Sequence, residues 1–449
     1  MLNDASRLDP TPVSKHLRPA AGQANLVDLL RREIREAQRE GRPVCIGGAR
    51  HSMGGQSLRV GSTAITLDRG WCEPDAARGL YRASAGARWR EIIPVLDRAG
   101  FAPAVTQANS DFTLGGAFSV NVHGWAVPHP PMGSTVKSVT LLLPDGQLVT
   151  CSPTQDAELF SLAMGGYGLF GVLLEMDVAM APNASLAPRF STMPAASFAK
   201  QFVAAVHEPA VVMAYGRLSI ARHGFLDQAA MVSFQKLAAP ARPLAQSRDS
   251  LAGLTRGIYR AQEGSDLAKG FRWFAETRVQ PMLDSRETTR NALISTPVSA
   301  LAEPRPDRTD ILHEYFLPPR ALADFIADCR EIIPRASAEL LNITLRYIAA
   351  DRTSVMAFAP TDRIAAVMSF SQALTPEADA RMRPVTQELI DRALAHGGSF
   401  YLPYRLHARS DQLERAYPNL QRFIAAKRRL DPKGTFLNTM WDTYFARWA

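Results

Sequence analysis

A short apolar strand, Pro43–Ile46, runs straight into the segment Gly47-Gly48-Ala49-Arg50-His51-Ser52-Met53-Gly54-Gly55-Gln56, and no other feature restricts the fold of this chain as much. Small residues directly after a strand leave the backbone bare, so that its N–H groups can converge on an oxyanion. Arg50 can bring charge to the same anion. These are the requirements of a phosphate cradle. An ordinary tight turn, with His51 satisfied by a neighbouring carbonyl, accounts for the same residues.

A second glycine cluster reads differently. Gly166-Tyr167-Gly168-Leu169-Phe170-Gly171 fits G-x-G-x-x-G, the pattern of dinucleotide-binding βαβ units. That mechanism needs a strand before the glycines and a helix after them, so that the helix N-terminus meets the pyrophosphate. Here the pattern predicts a helix before, Asp156–Met164, and a strand after, Val172–Met180. No acidic residue follows at about 20 residues to hold a ribose. A nicotinamide-binding unit is therefore not expected, and these glycines serve close backbone approach instead.

With 449 residues the chain exceeds one hydrophobic core and predicts two lobes. Apolar content of 46% and charged content of 21% are those of a globular protein, which excludes a disordered or fibrous chain. The net charge of +8 comes mostly from scattered Arg, without basic runs or interleaved aromatics. This argues against nucleic-acid partners and for a modest bias toward anionic small molecules. Cys45, Cys72, Cys151 and Cys329 form no CxxC pair, so neither a disulfide framework nor a metal site is expected. No apolar run reaches the about 18 residues of a transmembrane segment, and Met1–Ala20 has no signal-peptide core. A cytoplasmic protein is expected, with a removed leader left open; oligomeric state is not readable.

Periodicity predicts helices over Asn25–Arg39, Trp89–Gly100, Asp156–Met164, Gln262–Glu276, Arg320–Ile333 and Pro376–Ala395. Strands are expected at "TAITLD", "LYRASAGA" and on both sides of the Pro144-Asp145-Gly146 turn. Further strands are expected at "ILHEYFLP", "NITLRYIAA", "VMAFAP" and "AAVMSFSQA". Residues 183–310 read as mainly helical. The result is an α+β chain of two lobes with a C-terminal helical return.

Several ordered motifs carry a resemblance. Thr113-Leu114-Gly115-Gly116, Asn121-Val122-His123-Gly124, the Asp-Gly turn, Glu158-Leu159-Phe160 and the Gly165–Gly171 cluster resemble the FAD-binding half of the vanillyl-alcohol-oxidase (PCMH-type) flavoprotein superfamily. "ARHSMGGQ" is similar to the loop of its cytokinin-dehydrogenase and alditol/lactone-oxidase branches, where a histidine bonds covalently to the flavin. "GGSFYLPYR", "AYPNLQRF" and "DPKGTF" near the end are similar to decaprenylphosphoryl-ribose oxidases. The resemblance covers about residues 10–182 and 395–449 well and the middle weakly. It implies a discontinuous FAD domain (1–182, completed by 401–449) and an α+β substrate (cap) domain, 183–400, built on an antiparallel sheet.

Carried onto this chain, the resemblance implies FAD linked through His51, with Gly47, Gly48, Ala49, Arg50, Ser52 and Gln56 forming its loop. Leu114, Gly115, Gly116, Asn121, His123 and Gly124 would line the flavin, and Gly171, Val172 and Tyr401 would complete the site. A cysteine for a second covalent link is missing from "TQANSDFTLGG". "NITLRYIAA" resembles an alditol-oxidase strand that presents Glu and Arg; here the pair reads Thr344 and Arg346. The catalytic Lys of the ribose oxidases reads as Tyr404, followed by Arg405. Arg346 could equally face solvent and Tyr404 could be core packing. A Tyr beside an Arg can act as acid or base, because positive charge favours the phenolate. His313, Glu314 and His407 are reserves.

The reaction expected is hydride removal from a small molecule's CH–OH carbon, passed on to O2, a quinone or another acceptor. Val122, branched and next to the flavin, favours a dehydrogenase over an oxidase. Amine oxidation of the cytokinin-dehydrogenase type is the alternative, although Asp111 is offset by two residues from the acid of that branch. A flavin-free binding protein is the third reading.

Overall fold

Alternation along the strands after residue 183 decides how the molecule is layered. In Arg308–Leu317, residues Ile311, His313, Tyr315 and Leu317 are buried toward one side, while Asp310, Leu312 and Glu314 point to the other. The computed structural model describes residues 1–20, 23–243, 257, 259–283, 287–297 and 305–448.

The first half of the chain builds two sheets. Strands β1 (Lys15–Leu17), β2 (Val44–Gly47) and β3 (Thr63–Thr66) form a parallel sheet in the order β1-β3-β2. Beside it, β4 (Cys72–Asp75), β5 (Leu80–Ser84), β6 (Phe101–Pro103), β7 (Val136–Leu142), β8 (Leu148–Cys151) and β9 (Val172–Pro182) form an antiparallel sheet in the order β4-β5-β9-β7-β8, with β6 also on β9. The hairpin β7–β8 turns at Asp145-Gly146, where Gly146 takes the left-handed φ of +87°. Helix Leu26–Arg39 covers the parallel sheet with Leu30, Ile34 and Ala37, spaced to fall on one face.

After Asn183 the chain enters an eight-stranded antiparallel sheet. Its strands are β10 (Ala184–Pro194), β11 (Val211–Leu218), β12 (Gln228–Pro240), β13 (Thr288–Thr289), β14 (Arg308–Leu317), β15 (Glu339–Ile348), β16 (Arg363–Ala373) and β17 (Ser399–Phe400). They lie in the order β13-β10-β12-β11-β15-β16-β14-β17. Helices Ala195–Val206, Leu322–Ile332 and Pro376–Ala395 belong to the same large core as one face of this sheet, through Phe198, Phe202, Phe325, Ile326, Met382 and Leu389. The last of these begins with Pro376 behind Thr375, whose hydroxyl accepts from the Ala378 amide at 3.2 Å. The opposite face carries polar side chains and forms one wall of the main cavity.

The chain is α+β as expected, but the middle needed correction. β10, β11 and β12 occupy a stretch that reads as helical, and "VMAFAP" is an irregular connection rather than a strand. The Gln262–Glu276 helix begins only at Asp266, capped by Ser265. Residues 401–449 return to the first sheets: the Val44 amide donates to the Thr435 carbonyl at 2.7 Å, and Val44 bridges Phe436. Among the described residues no helix is long and apolar enough to cross a membrane.

Candidate active site

A cavity of about 620 Å³ separates the first sheets from the polar face of the eight-stranded sheet, large enough for a sizeable cofactor or ligand. Gly47, Gly48, Ala49, Arg50, His51, Ser52 and Gln56 all line it, as do Gly115, Gly116, Gly171 and Tyr401. From the facing side come Arg346 and Tyr404.

The loop after β2 is held in shape by its neighbours. Arg50 takes the left-handed φ of +52°, which turns its guanidinium back over Gly47, where a β-carbon would lie 3.1 Å from it. A β-carbon on Gly48 would sit 2.1 Å from the Thr113 hydroxyl oxygen, a distance no packing allows. Thr113 is fixed because that oxygen caps helix Leu114–Ser119, accepting from the Gly116 amide at 3.2 Å. Gln56 is a strut: it accepts from the Gly54 amide and donates to the Leu402 and Tyr404 carbonyls of the C-terminal return.

Two features of the loop bear on cofactor chemistry. Nε and Nη2 of Arg50 are buried without a hydrogen-bond partner, and burial pulls the guanidinium below its ordinary pKa. His51 packs against Phe112 with ring centres 4.6 Å apart. Burial, aided by the charges of Arg88 and Arg90, pulls its imidazole down and leaves it neutral at pH 7.

The facing wall holds a buried acid. The Tyr404 hydroxyl donates to Oε2 of Glu314 at 3.0 Å. Oε1 of Glu314 lies 2.5 Å from Nε2 of His123, an ion-pair approach without hydrogen-bond alignment. Burial alone would raise the Glu314 carboxyl; the charges of His123 and Arg346 and the Tyr404 bond outweigh it and hold the carboxyl below its usual range. Tyr404 moves the other way. Burial, then the Glu314 charge, keeps its hydroxyl protonated despite Arg346. The positive charge of Arg346 therefore does not prevail over burial and Glu314 at this hydroxyl.

Other expected site residues lie elsewhere. Arg405 points away from the cavity, binding Asp379 at 2.8 and 2.9 Å, Asp9, and the Met53 carbonyl at 2.7 Å. It clamps the cradle loop to the C-terminal return. The Thr344 hydroxyl accepts from Asn342 at 2.8 Å and is not on the cavity wall. Leu114 and Val172 are core residues. Asn121 is buried away from the cradle loop, donating to Asp351 at 2.9 Å and accepting from the Gly133 amide at 2.9 Å. Gly124 permits close approach, since a β-carbon there would meet the Thr106 carbonyl oxygen at 1.9 Å. His313 lies on the helix-facing side near Tyr315 and Phe370, and His407 is bound to Asp379 and Thr386. Asp111 pairs with Arg90 at 2.9 Å. Of the reserves only Glu314 is linked to the cavity, through the Tyr404 hydroxyl that lines it.

Sequence reading missed the N-terminal strap altogether. Asn3, Asp4, Ala5 and Arg7 line the cavity. The Asp4 carboxylate accepts from the Gly55 amide at 2.6 Å, and the Ala5 amide donates to the Ser52 carbonyl. No periodicity or motif in "MLNDASRLDP" signals this placement.

The loop after β2 and helix Leu114–Ser119, which build one side of the cavity, fall within a stretch of the chain that matches a known family. Residues 23–152 match the family model described as an FAD binding domain, and this part of the chain is an FAD-binding domain of the PCMH type. The chain is similar to cytokinin dehydrogenase 3 of Oryza sativa subsp. japonica, 30% identical over 29% of this chain and 26% of the relative. It is similar to cytokinin dehydrogenase 8 of Oryza sativa subsp. indica, 31% identical over 28% of this chain and 26% of the relative. It also resembles a provisionally named D-arabinono-1,4-lactone oxidase of Neurospora crassa, 27% identical over 37% of this chain and 30% of the relative. These matches span under a third of each relative's length.

The residues present fit FAD. Arg50 offers two unpartnered buried donors on the wall it shares with Gly47 and Gly48, which suits a pyrophosphate.

Proposed function

We propose that the chain is an FAD-dependent oxidoreductase that oxidises a CH–OH carbon, with FAD carried covalently on His51. One observation carries the reading: the cavity is lined by His51, the unpartnered Arg50 and Tyr404, whose hydroxyl is bonded to the buried Glu314 behind the wall. FAD bound there supplies the hydride acceptor. Gly47–Ser52 and Arg50 hold its pyrophosphate, and a neutral His51 is available as the bonding nucleophile. We divide the chain into an FAD domain of residues 1–182 completed by 401–449, and a substrate domain of 183–400.

On the substrate side, Tyr404 accepts the proton of the reacting hydroxyl while passing its own to Glu314. Arg346, whose Nε is buried without a partner, steadies charge on the substrate oxygen. His123 fixes Glu314 from behind. Val122 lines the cavity, and its branched side chain crowds the approach of O2, which supports a quinone or other acceptor. Four free cysteines, three of them buried, suit the cytoplasm.

Amine oxidation is the second reading, favoured by the cytokinin dehydrogenases among the relatives. The pairing of Asp111 with Arg90 speaks against an Asp-based version of it. Anaerobic bleaching of the flavin absorbance with polyols, aldoses, lactones and amines tests the proposal. A hydroxyl compound is expected to bleach the flavin, and Glu314→Gln to slow that step about 10²- to 10⁴-fold. Bleaching by amines alone replaces the CH–OH reading.

A further inference from the structure

The end of the cavity away from Tyr404 is crowded with arginines. Arg7 from the strap, Arg260, Arg305 and Arg308 line it, with Arg346 nearer Glu314. Their carboxylate partners are shared. Asp310 takes a two-pronged bond from Arg260 at 2.6 and 2.9 Å. Glu263 serves Arg260 at 2.9 Å, Arg305 at 2.5 Å and Arg308 at 3.5 Å. Asp307 reaches Arg305 at 3.5 Å from an exposed position, and Glu314 is engaged by His123 and Tyr404.

Arg7 binds only carbonyl oxygens among the described residues, those of Arg305 at 2.6 Å and of Arg308. Arg308 is steadied by Ser371, through its hydroxyl at 3.1 Å and its carbonyl at 3.0 Å. The Asp4 carboxyl on the same wall is raised by burial, which favours its neutral form. Among the described residues Arg7 thus pairs with no carboxylate, and Arg308 reaches only Glu263, at 3.5 Å, which it shares with Arg260 and Arg305. Guanidinium groups so thinly paired on a cavity wall are balanced best by a ligand's own negative charge. The planar fork of Arg matches carboxylate and phosphate oxygens.

We propose that the substrate carries an oxyanion, a carboxylate or a phosphate, seated on Arg7 and Arg308, with its reacting hydroxyl at Tyr404. This rests on the reading of the cavity as a site of alcohol oxidation. Arg308 and Glu314 are six residues apart on β14, about 20 Å between α-carbons; the Arg308 side chain and the Tyr404 ring both line the cavity between them, so anion and reacting hydroxyl lie at different ends of the ligand. The strap makes the seat exacting: the Thr309 hydroxyl donates to the Ser6 carbonyl at 2.6 Å and ties Arg7 to the start of β14.

The test is isothermal titration of the flavin-loaded protein with D-glucitol, D-gluconate and D-glucitol 6-phosphate. At least one anion is expected to bind about 10-fold or more tightly than D-glucitol, and the tighter of the two distinguishes carboxylate from phosphate. Arg7→Gln and Arg308→Gln each lower that anion's affinity by a similar factor and leave D-glucitol binding unchanged, whereas a merely structural role weakens both. Equal binding of all three compounds, binding by neither anion, or anion affinity unmoved by both substitutions overturns the seat and leaves alcohol oxidation standing. Flavin bleached by amines alone removes the reading beneath it.

Discussion

At the scale of single residues, the site contrasts a cation without a counter-ion with an acid that has several partners. Arg50 is buried with open donors, as a residue positioned for an absent anion would be; Glu314 is buried with its oxygens engaged by Tyr404 and His123. His51 stands between these roles. If it carries the flavin, protein precipitated in acid stays yellow, and His51→Ala releases its colour to the supernatant. Wild type that releases all of its flavin ends the covalent assignment while leaving the cavity's chemistry intact. His51 and Arg50 were legible in sequence because glycines mark the loop on both sides. Glu314 was only a reserve, because strand alternation gives two faces without saying which is inward. Arg405 was misread for a related reason: adjacency to Tyr404 says nothing of direction, and its guanidinium turns to Asp379 and Asp9.

At the scale of elements, the cradle loop, helix Leu114–Ser119 and the C-terminal return behave as one packed unit. Met53 and Gln56 bond to residues 402–404, and Gly48 touches Thr113. Gly48→Ala therefore displaces the helix cap. We expect it to destabilise the protein by about 1–3 kcal/mol and to weaken flavin retention, read by thermal melting and by the ratio of flavin to protein absorbance. Unchanged values for both would mean that the loop does not pack as a cradle. The reversed glycine motif was read correctly, with helix Ala157–Ala163 before it and β9 after it, and Gly168 and Gly171 lie on the cavity wall. The strands β10–β12 were not legible. β10 contains Pro188 and ends at Pro194, and Ala-rich β12 has a helical composition, so cross-strand pairing over ten registered positions overrides local preference.

For the whole molecule, burial of histidines links stability to pH. His16, His129, His313 and His407 are all shifted downward, chiefly by burial, His313 to about 3. Each binds its proton more readily when the chain is unfolded. Their contribution is complete above the unfolded value of about 6.5 and is lost as pH falls below it. For a group as buried as His313 the slope is about 1.4 kcal/mol per pH unit. The urea midpoint is expected to drop clearly between pH 7.5 and pH 5.5; a flat profile would show that these imidazoles bind protons equally well in the folded and unfolded chain.

The strap adds a consequence in time. Residues near position 5 and near position 404 meet across the same cradle, so neither early nor late stretches of a growing chain can grip the cofactor alone. A cofactor held by this cradle is therefore expected to load only after synthesis has passed both, and its colour would then record that assembly finished in the right order.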